Sequence, residues 1–386
     1  MTEPSLRDAS RAPTSWREST LWFAVGLFVA HLAILLLVSS WGQRMYPVPL
    51  TEHPYEVLEP LSLRGLCRWD CGLYYNLASH GYTSDAEAKV FPLYPLITWA
   101  FSRLTGLSTQ VSLIAVANLA YLAALLVIFR IYERLAGVDA ARWGLLLFCA
   151  FPFAYFHAAG YAESLFLLFT AGSILLALDE RHIAAGAVLA LGCATRHVSL
   201  LGVTSLAAIA VIQRGWHPKR LVLHRGVVGL ALPLAGIAAF MAYCQYRFHD
   251  PVAFSTQRTR LEVGNQFWSQ RAWWSVIEAF RGGRTRTEPL LSTYVFWSLL
   301  PATGTVALFT RRAWWPLAPF AAALMTLFMG TGIMGLGRFT ASCWPAFLPL
   351  GVWIARRPLA AQALLIPLAL AQGAYFFLWS HWFGIW

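Results

Sequence analysis

The feature that most constrains this chain is a series of apolar runs, most of them close to twenty residues long. About 20 consecutive apolar residues cross a bilayer as a helix. Runs of this kind occur at 21–38, 110–130, 142–157, 162–178, 226–246, 290–310, 313–331, 339–355 and 359–380. Only 12% of the 386 residues are charged, against about 25% in soluble domains. We therefore predict an all-α protein that crosses a membrane many times.

One further apolar stretch, 183–213, is too long for a single helix, and Arg196 and His197 interrupt it. We predict that it crosses the membrane and returns as two short helices that meet near Arg196. Together with the nine single runs, this gives about eleven spans. The run 21–38 lacks a clear small-residue cleavage site, so we interpret it as a retained first helix rather than a signal peptide.

Basic residues between the runs predict the orientation, because short loops rich in Lys and Arg stay in the cytoplasm. Four connections carry such clusters: Arg130, Arg134 and Arg142; Arg214, Lys219, Arg220 and Arg225; Arg311 and Arg312; Arg356 and Arg357. All four are cytoplasmic only if two conditions hold: 91–104, a short segment with two prolines, does not cross the membrane, and 183–213 crosses out and back as two short helices. Residues 1–20 then form a cytoplasmic tail, and two large loops, 41–108 and 247–289, face outside.

Most of the notable charged residues fall on or near the outer face in this topology. They are Asp70, Asp85, Glu87, Glu163, Arg196, Asp250, Arg258, Arg260, Glu262 and Arg338. We therefore expect the function on that face. The net charge of +11 is explained by topology and anionic lipid rather than by nucleic acid, because the basic residues lie at the ends of apolar runs.

An aspartate, Asp70, follows the first apolar run within the sequence CRWDCGLYYNL, which spans 67–77. Ionisable residues at the bilayer edge are costly and often carry function, so Asp70 is the main candidate for chemistry. If 68–79 is helical, Asp70 and Tyr74 share one face. The alternative interpretation assigns the aromatic residues of this loop to an interfacial helix at the level of the lipid headgroups.

Two cysteines, Cys67 and Cys71, flank Asp70. Thiols in an extracytoplasmic loop can oxidise, but a separation of four residues on a regular helix lies near the long limit of disulfide geometry. We therefore favour free thiols at these two positions. The other cysteines lie in apolar stretches and are predicted to be small buried residues: Cys149, Cys193, Cys244 and Cys343.

The segment RWDCGLYYNLASHGYTSDAEAKVFPLYPL, from Arg68 to Leu96, resembles the signature of the GPI mannosyltransferase II (PIG-V) family and its bacterial relatives. The shared pattern is a Trp-Asp pair, an aromatic-rich helix, a Gly-Tyr step and a Phe-Pro-Leu-Tyr-Pro element. Four further segments follow in the family's order: YAESLFLLF from Tyr161, ATRHVSLLG from Ala194, FHDPVAFSTQ from Phe248 and GRFTASCWPAF from Gly337. The final forty residues show only apolar character.

The resemblance implies one transmembrane domain, 1–386, with the GT-C glycosyltransferase fold. It implies an inverting transfer of a sugar, mannose in this family, from a polyprenyl-phosphate donor on the outer face. The implied acceptor is a glycan, glycolipid or protein. The composition, rich in alanine and in arginine over lysine, indicates a bacterial cytoplasmic membrane. Asp70 matches the family's loop aspartate and is expected to be the general base.

The departing lipid phosphate requires a cation at the outer membrane boundary. Arg196 and Arg338 each interrupt apolar sequence there, and a guanidinium can bind phosphate through two hydrogen bonds. Arg68 is a third candidate, which can instead orient Asp70. The alternative for Arg196 and Arg338 is a structural role, either snorkelling to the interface or pairing with Glu163.

Candidates for sugar or acceptor contacts are Trp69, Tyr74, Tyr75, His80 and Glu163, the last of which is also a structural partner for the arginines. Weaker candidates are Arg258 and Arg260 for phosphate, Asp85 and Glu87 for the acceptor, and Trp268, Trp273 and Trp274 for stacking on sugar. His80, His157 and His197 do not show paired ligand spacing, so we expect no metal and no other cofactor.

Two other classes of function compete with transfer. A flippase or transporter for lipid-linked saccharides also has many spans and broken helices, but many transporters contain internal repeats, and we find none between the two halves. Transport also leaves the outer-loop Asp70 unexplained. The third class is a non-catalytic scaffold. The presence of the Trp-Asp pair argues against this class.

Overall fold

The computed structural model describes residues 18–48, 60–214, 225–260, 288–330 and 335–383. All regular elements of these residues are helical, as predicted. The α-helices are α1 (Glu18–Met45), α2 (Leu61–Arg64), α3 (Cys71–His80), α4 (Leu93–Thr105), α5 (Thr109–Ala136), α6 (Val138–Ala150), α7 (Glu163–Leu178), α8 (His182–Thr195), α9 (Gly202–Arg214), α10 (Arg225–Ala231), α11 (Pro233–Phe248), α12 (Ala253–Arg260), α13 (Glu288–Leu308), α14 (Ala318–Gly330), α15 (Leu336–Ala341), α16 (Phe347–Ile354) and α17 (Pro358–Ser380). Glu262, Trp268, Trp273, Trp274 and the side chains of Arg258 and Arg260 lie outside the described residues.

Five helical segments of the described residues are long and apolar enough to cross a membrane. They are Leu21–Met45, Thr109–Ala136, His197–Arg214, Val227–Phe248 and Leu359–Ser380. Shorter apolar helices accompany them, among them α7, α8 and α14. The chain is thus an integral, multi-pass membrane protein. The number of eleven spans and the orientation stay predictions.

Several apolar runs are broken rather than continuous. The run 142–157 ends as a helix at Ala150, because Phe151 precedes Pro152 and a residue before proline avoids the α conformation. The run 339–355 is divided into α15, a 3₁₀ turn at Trp344–Ala346 and α16. The predicted break at Arg196 is confirmed, since α8 ends at Thr195 and a 3₁₀ turn, His197–Leu201, leads to α9.

The core is formed by close packing of α5, α6, α7, α8 and α16. At the α6–α16 crossing a Cβ atom on Gly351 would lie 2.5 Å from the backbone nitrogen of Gly144. Only glycine permits this approach. Small residues at such crossings are typical of membrane helices, which gain stability from close backbone packing.

The segment 151–162, between α6 and α7, is held by side-chain amides. Gln372 of α17 donates to the carbonyl oxygens of Cys149 and Phe151 at 2.8 and 2.7 Å. Asn118 of α5 donates to the carbonyl of Ala158 at 2.8 Å. Backbone carbonyls exposed by a helix break in an apolar interior need such donors. These bonds position the residues immediately before Glu163.

Candidate active site

Asp70 lies at the start of α3 rather than within it. The helix begins at Cys71, and Asp70 is its N-cap residue. The observed helix therefore starts three residues later than the predicted helix, 68–79. Trp69 has a φ of 54°, a left-handed conformation that costs energy for a bulky residue and is commonly found at functional sites. The Asp70 side chain is 43% exposed and is accessible to a substrate.

Cys67 and Cys71 form a disulfide, so the expectation of free thiols was wrong. Their Cα atoms are 5.2 Å apart, within the usual range. Cys67 precedes the helix and lies in a turn, so the spacing of a regular helix does not apply. The bond closes a small ring that contains Asp70. The four remaining cysteines are buried free thiols, as predicted.

Tyr161 fixes the backbone on both sides of Trp69. Its hydroxyl donates to the carbonyl oxygen of Arg68 at 2.8 Å and accepts from the backbone nitrogen of Asp70 at 3.1 Å. The ring is fully packed, at 1% exposure. A buried hydroxyl that both donates and accepts has little freedom to move. Tyr161 therefore sets the position from which the Asp70 carboxylate projects.

Four charged side chains from separate parts of the chain form one connected ion cluster. Arg338 Nη1 donates to Asp70 Oδ2 at 2.7 Å. Arg338 Nε donates to Glu163 Oε1 at 2.5 Å, and Arg196 Nη1 donates to the same oxygen at 2.5 Å. The predicted pairing of Glu163 with the two arginines is therefore present with both of them. Asp70, Arg338, Glu163 and Arg196 are called the charge cluster below.

Glu163 is the buried centre of the charge cluster. Its side chain is fully buried, whereas those of Arg338 and Arg196 are 13% and 19% exposed. Its other oxygen, Oε2, has no hydrogen-bond partner among the described residues. An ionised carboxylate in such a place is tolerated only when cations compensate for its lost hydration. The two guanidiniums supply this compensation.

Aromatic rings form the walls against which the guanidiniums lie. The Arg338 guanidinium lies 4.5 Å from the Tyr161 ring centroid and 5.4 Å from that of Phe156. The Arg196 guanidinium lies 5.5 Å from the Phe339 ring centroid. Rings in these positions attract a cation through their quadrupole and restrict its orientation. The cations are consequently held in fixed directions rather than extended into solvent.

The backbone of α15 brings Arg338 into the charge cluster. Gly335 precedes the helix with a φ of 79°, which favours glycine. A Cβ atom on Gly337 would lie 2.6 Å from the ring of Phe153, so α15 approaches the segment 151–162 as closely as glycine allows. Arg338, the next residue, is thereby within reach of Glu163.

The final helix holds the Trp-Asp loop, although the C-terminal residues showed only apolar character in the sequence. Arg68 Nε donates to the Ser380 carbonyl at 3.0 Å, and Trp69 Nε1 donates to the Trp379 carbonyl at 3.2 Å. Trp69 also packs edge-on against Trp382. Arg68 is 3% exposed, so these contacts place it against α17 rather than in the open part of the site.

The remaining candidates on α3 differ in environment. Tyr74 is buried, edge-on to Tyr94 and Tyr161. Burial, reinforced by the nearby Glu163 carboxylate, raises the pKa of Tyr74 to about 12, so its hydroxyl stays protonated at neutral pH. Tyr75 is half-buried, and His80 is exposed in the last turn of α3. Tyr74 contacts Tyr161, whose ring lies beside the Arg338 guanidinium of the charge cluster.

The acidic residues 85 and 87 belong to a separate turn. Glu87 Oε2 accepts from the backbone nitrogens of Thr83 and Ser84 at 2.6 and 3.1 Å, and so caps the 3₁₀ helix Asp85–Lys89. In the part of the chain that the structure describes, no three His, Cys, Asp or Glu side chains are grouped as metal ligands. Metal-independent chemistry stays a prediction.

Tyr161 is the site residue that the sequence analysis did not select. It stands two positions before Glu163, at the start of a family-like segment. This proximity to Glu163 was the feature of the sequence that could have indicated its role. Its role depends on contacts with residues 93 and 91 positions away. Local patterns do not report such contacts.

Two solved structures show the same fold. ArnT from Cupriavidus metallidurans bound to undecaprenyl phosphate aligns with a TM-score of 0.56 at 14% identity, covering 92% of this chain and 69% of that one. The Archaeoglobus fulgidus oligosaccharyltransferase aligns with a TM-score of 0.50 at 12% identity, covering 93% and 53%. The predicted GT-C fold is therefore confirmed.

Curated relatives are similar over part of the sequence. GPI alpha-1,6-mannosyltransferase 2 of Homo sapiens is 35% identical over 178 residues, 44% of this chain and 35% of that protein. Its counterpart in Mus musculus is 30% identical over 206 residues, 48% and 41%. The matched region thus spans less than half the length of these relatives. The family model for mannosyltransferase (PIG-V) matches residues 25–271, which is more than half of the chain and includes Asp70, Glu163 and Arg196. This chain belongs to the mannosyltransferase (PIG-V) family.

Proposed function

We propose that this protein is a mannosyltransferase that moves mannose from a polyprenyl-phosphate donor to a hydroxyl group of a glycan, glycolipid or protein on the outer face of a bacterial membrane. The observation that carries the proposal is the charge cluster, in which an accessible carboxylate, Asp70, lies 2.7 Å from the guanidinium of Arg338. The names of the relatives support mannose as the sugar. The undecaprenyl phosphate in the ArnT structure supports a polyprenyl-phosphate donor.

The reaction is a single displacement with inversion. Asp70 accepts the proton of the acceptor hydroxyl, and the hydroxyl oxygen forms a bond to the anomeric carbon of the sugar. The bond from that carbon to the phosphate oxygen breaks, and polyprenyl phosphate leaves with the electron pair. An exposed carboxylate on a clamped backbone suits this role, because a base must be open to the acceptor yet fixed in direction.

Arg338 and Arg196 stabilise the departing phosphate. Each uses one or two of its donors within the charge cluster, and the described residues provide no hydrogen-bond partner for Arg338 Nη2 or for Arg196 Nε and Nη2. These donors are suited to phosphate oxygens, which a guanidinium binds strongly. Glu163 orients both arginines, and its buried charge keeps them together despite their mutual repulsion.

Mannose transfer tests the proposal directly. Purified wild type and Asp70→Asn are placed in separate vesicles of the same composition. Each preparation receives radiolabelled polyprenyl-phosphate mannose, together with acceptor lipids and proteins extracted from membranes. We expect label in the product for wild type and a loss of at least 100-fold for Asp70→Asn, since general base catalysis contributes roughly 100- to 10,000-fold. The matched control is Asp139→Asn, which neutralises an aspartate that is 85% exposed on α6.

Two outcomes contradict the proposal. Equal transfer by wild type and Asp70→Asn would remove Asp70 from the base role. Passage of labelled donor across the vesicle bilayer without any transfer by wild type would favour a flippase.

A further inference from the structure

A second polar site lies at the other end of the helix bundle. The end of α13, the 3₁₀ turn Arg312–Trp314 and the end of α16 line an open pocket of about 360 Å³. Its lining includes three exposed arginines, Arg311, Arg356 and Arg357, and the apolar residues Trp314, Pro349 and Val352, of which the first two are buried. These residues are called the basic pocket below.

The basic pocket is remote from the charge cluster. On α13, Ser298 hydrogen-bonds Thr340 at 3.1 Å, two residues from Arg338. Leu308, at the end of the same helix, is ten residues further on, which corresponds to about 15 Å of helical rise. The two sites are therefore separated by at least about half of the hydrocarbon thickness of a bilayer along α13, and they share no residue. The topology predicted from the sequence assigns Arg311 and Arg356 to the cytoplasmic face and Arg338 to the outer face.

Two of the three arginines of the basic pocket lie over aromatic rings. The Arg311 guanidinium lies 4.8 Å from the Trp314 ring centroid, and that of Arg357 lies 5.0 Å from the Trp353 centroid. The ion pairs of the described residues do not include Arg311, Arg356 or Arg357. Three adjacent positive charges without a described carboxylate form a site of strong positive potential that is suited to a phosphate.

The interior of the basic pocket is apolar, with Trp314 and Pro349 buried. Its surroundings include exposed large apolar residues, Phe309 at 53% and Trp315 at 43%. Aromatic and apolar residues beside arginines are typical of the boundary between headgroups and acyl chains. The expected ligand therefore combines a phosphate with hydrocarbon.

We propose that the basic pocket binds the phosphate headgroup of an anionic phospholipid from the bilayer leaflet opposite the charge cluster. The arginines contact the phosphate, and the first carbons of the lipid pack on Trp314 and Val352. The proposal does not depend on the transferase reaction, because it concerns a different end of the molecule and a ligand that is not consumed.

Lipid retention measured by native mass spectrometry tests the site. The full chain, purified in neutral detergent, is titrated with phosphatidylglycerol or with phosphatidylcholine of the same acyl chains. We expect preferential retention of phosphatidylglycerol. Each of Arg311→Gln and Arg356→Gln should weaken it about fivefold, because one basic residue near a lipid surface contributes about 1 kcal/mol. The matched control is Arg312→Gln, which removes the same charge from an exposed residue that does not line the cavity.

Three results would overturn the proposal. The first is equal retention of the two lipids. The second is a loss in Arg312→Gln as large as that in Arg311→Gln, which would indicate only a general surface potential. The third is full displacement of phosphatidylglycerol by millimolar inorganic phosphate, which would assign the site to a free anion. Unchanged helical circular dichroism in each variant shows that the comparison is between folded proteins.

Discussion

Replacement of Glu163 by glutamine most directly tests whether the negative charge of Glu163 orients the two arginines of the charge cluster. Glutamine has nearly the same shape and still accepts hydrogen bonds, but it lacks the charge that holds Arg338 and Arg196 on one oxygen. The variant leaves two guanidiniums side by side without their shared counter-ion. We expect both to turn away from each other, and Arg338 to lose its fixed direction toward Asp70.

The magnitude follows from burial. Removal of one partner from a buried ion pair costs about 3–5 kcal/mol. The Glu163 side chain is fully buried, but Arg338 and Arg196 are 13% and 19% exposed and can recover part of their hydration, so we expect the lower end, about 3 kcal/mol. If this loss falls on the orientation of the donor phosphate in the transition state, kcat/KM for the donor decreases roughly 100-fold.

The assay compares initial rates over a range of donor concentrations with thermal unfolding of the same preparations. The matched control is Glu133→Gln. Glu133 forms a part-buried ion pair with Arg130 at 2.7 Å, with a side chain 12% exposed, outside the charge cluster. We expect Glu133→Gln to lower the melting temperature and leave kcat/KM unchanged. Retention of more than half of the wild-type kcat/KM by Glu163→Gln would refute the idea that its charge orients the arginines.

Three further predictions concern neighbouring residues. Arg338→Lys should raise KM for the donor about tenfold in initial-rate measurements, because a lysine cannot hold Asp70 and Glu163 simultaneously and still reach phosphate; an unchanged KM would contradict this. Tyr161→Phe keeps the ring beneath Arg338 but removes the hydroxyl that hydrogen-bonds the backbone of Arg68 and Asp70. The kcat should decrease about tenfold, in line with roughly 1.5 kcal/mol for a buried hydrogen bond; an unchanged kcat would show that this hydroxyl is dispensable. A Cys67→Ser, Cys71→Ser double variant lacks the disulfide, and its free energy of unfolding in denaturant titrations should be about 2 kcal/mol lower, the value expected for so short a loop. Equal stability of the variant and wild type would argue against the bond.

The charge cluster also explains why a membrane protein retains a fully buried carboxylate. Glu163 is expensive to bury, and a pair of hydrophobic residues would often be as stable as a buried ion pair. What the carboxylate provides is proximity: it brings two cations to one oxygen at 2.5 Å each. In the proposed reaction, two arginines concentrated in this way bind the donor phosphate more strongly than either would alone.

The sequence alone determined the class of the protein and indicated the residues that form the charge cluster. Runs of about twenty apolar residues leave few alternatives to membrane helices, since each backbone polar group in lipid must be satisfied within its own helix. The charged residues were informative because they are few. In a chain with 12% charged residues, Asp70, Glu163, Arg196 and Arg338 could each be selected as exceptions to an apolar background, and so could the helix break at Arg196.

Only the tertiary structure decided how these residues meet. Glu163 contacts arginines 33 and 175 positions away, and Arg338 contacts an aspartate 268 positions away. Hydrophobic periodicity reports which face of a helix is apolar, but it carries no information about which helix ends come together. The Cys67–Cys71 bond, the Tyr161 clamp and the support from α17 belong to the same category. Each depends on an irregular turn or on a distant backbone carbonyl, and the energies that place them are tertiary contacts between segments remote in sequence.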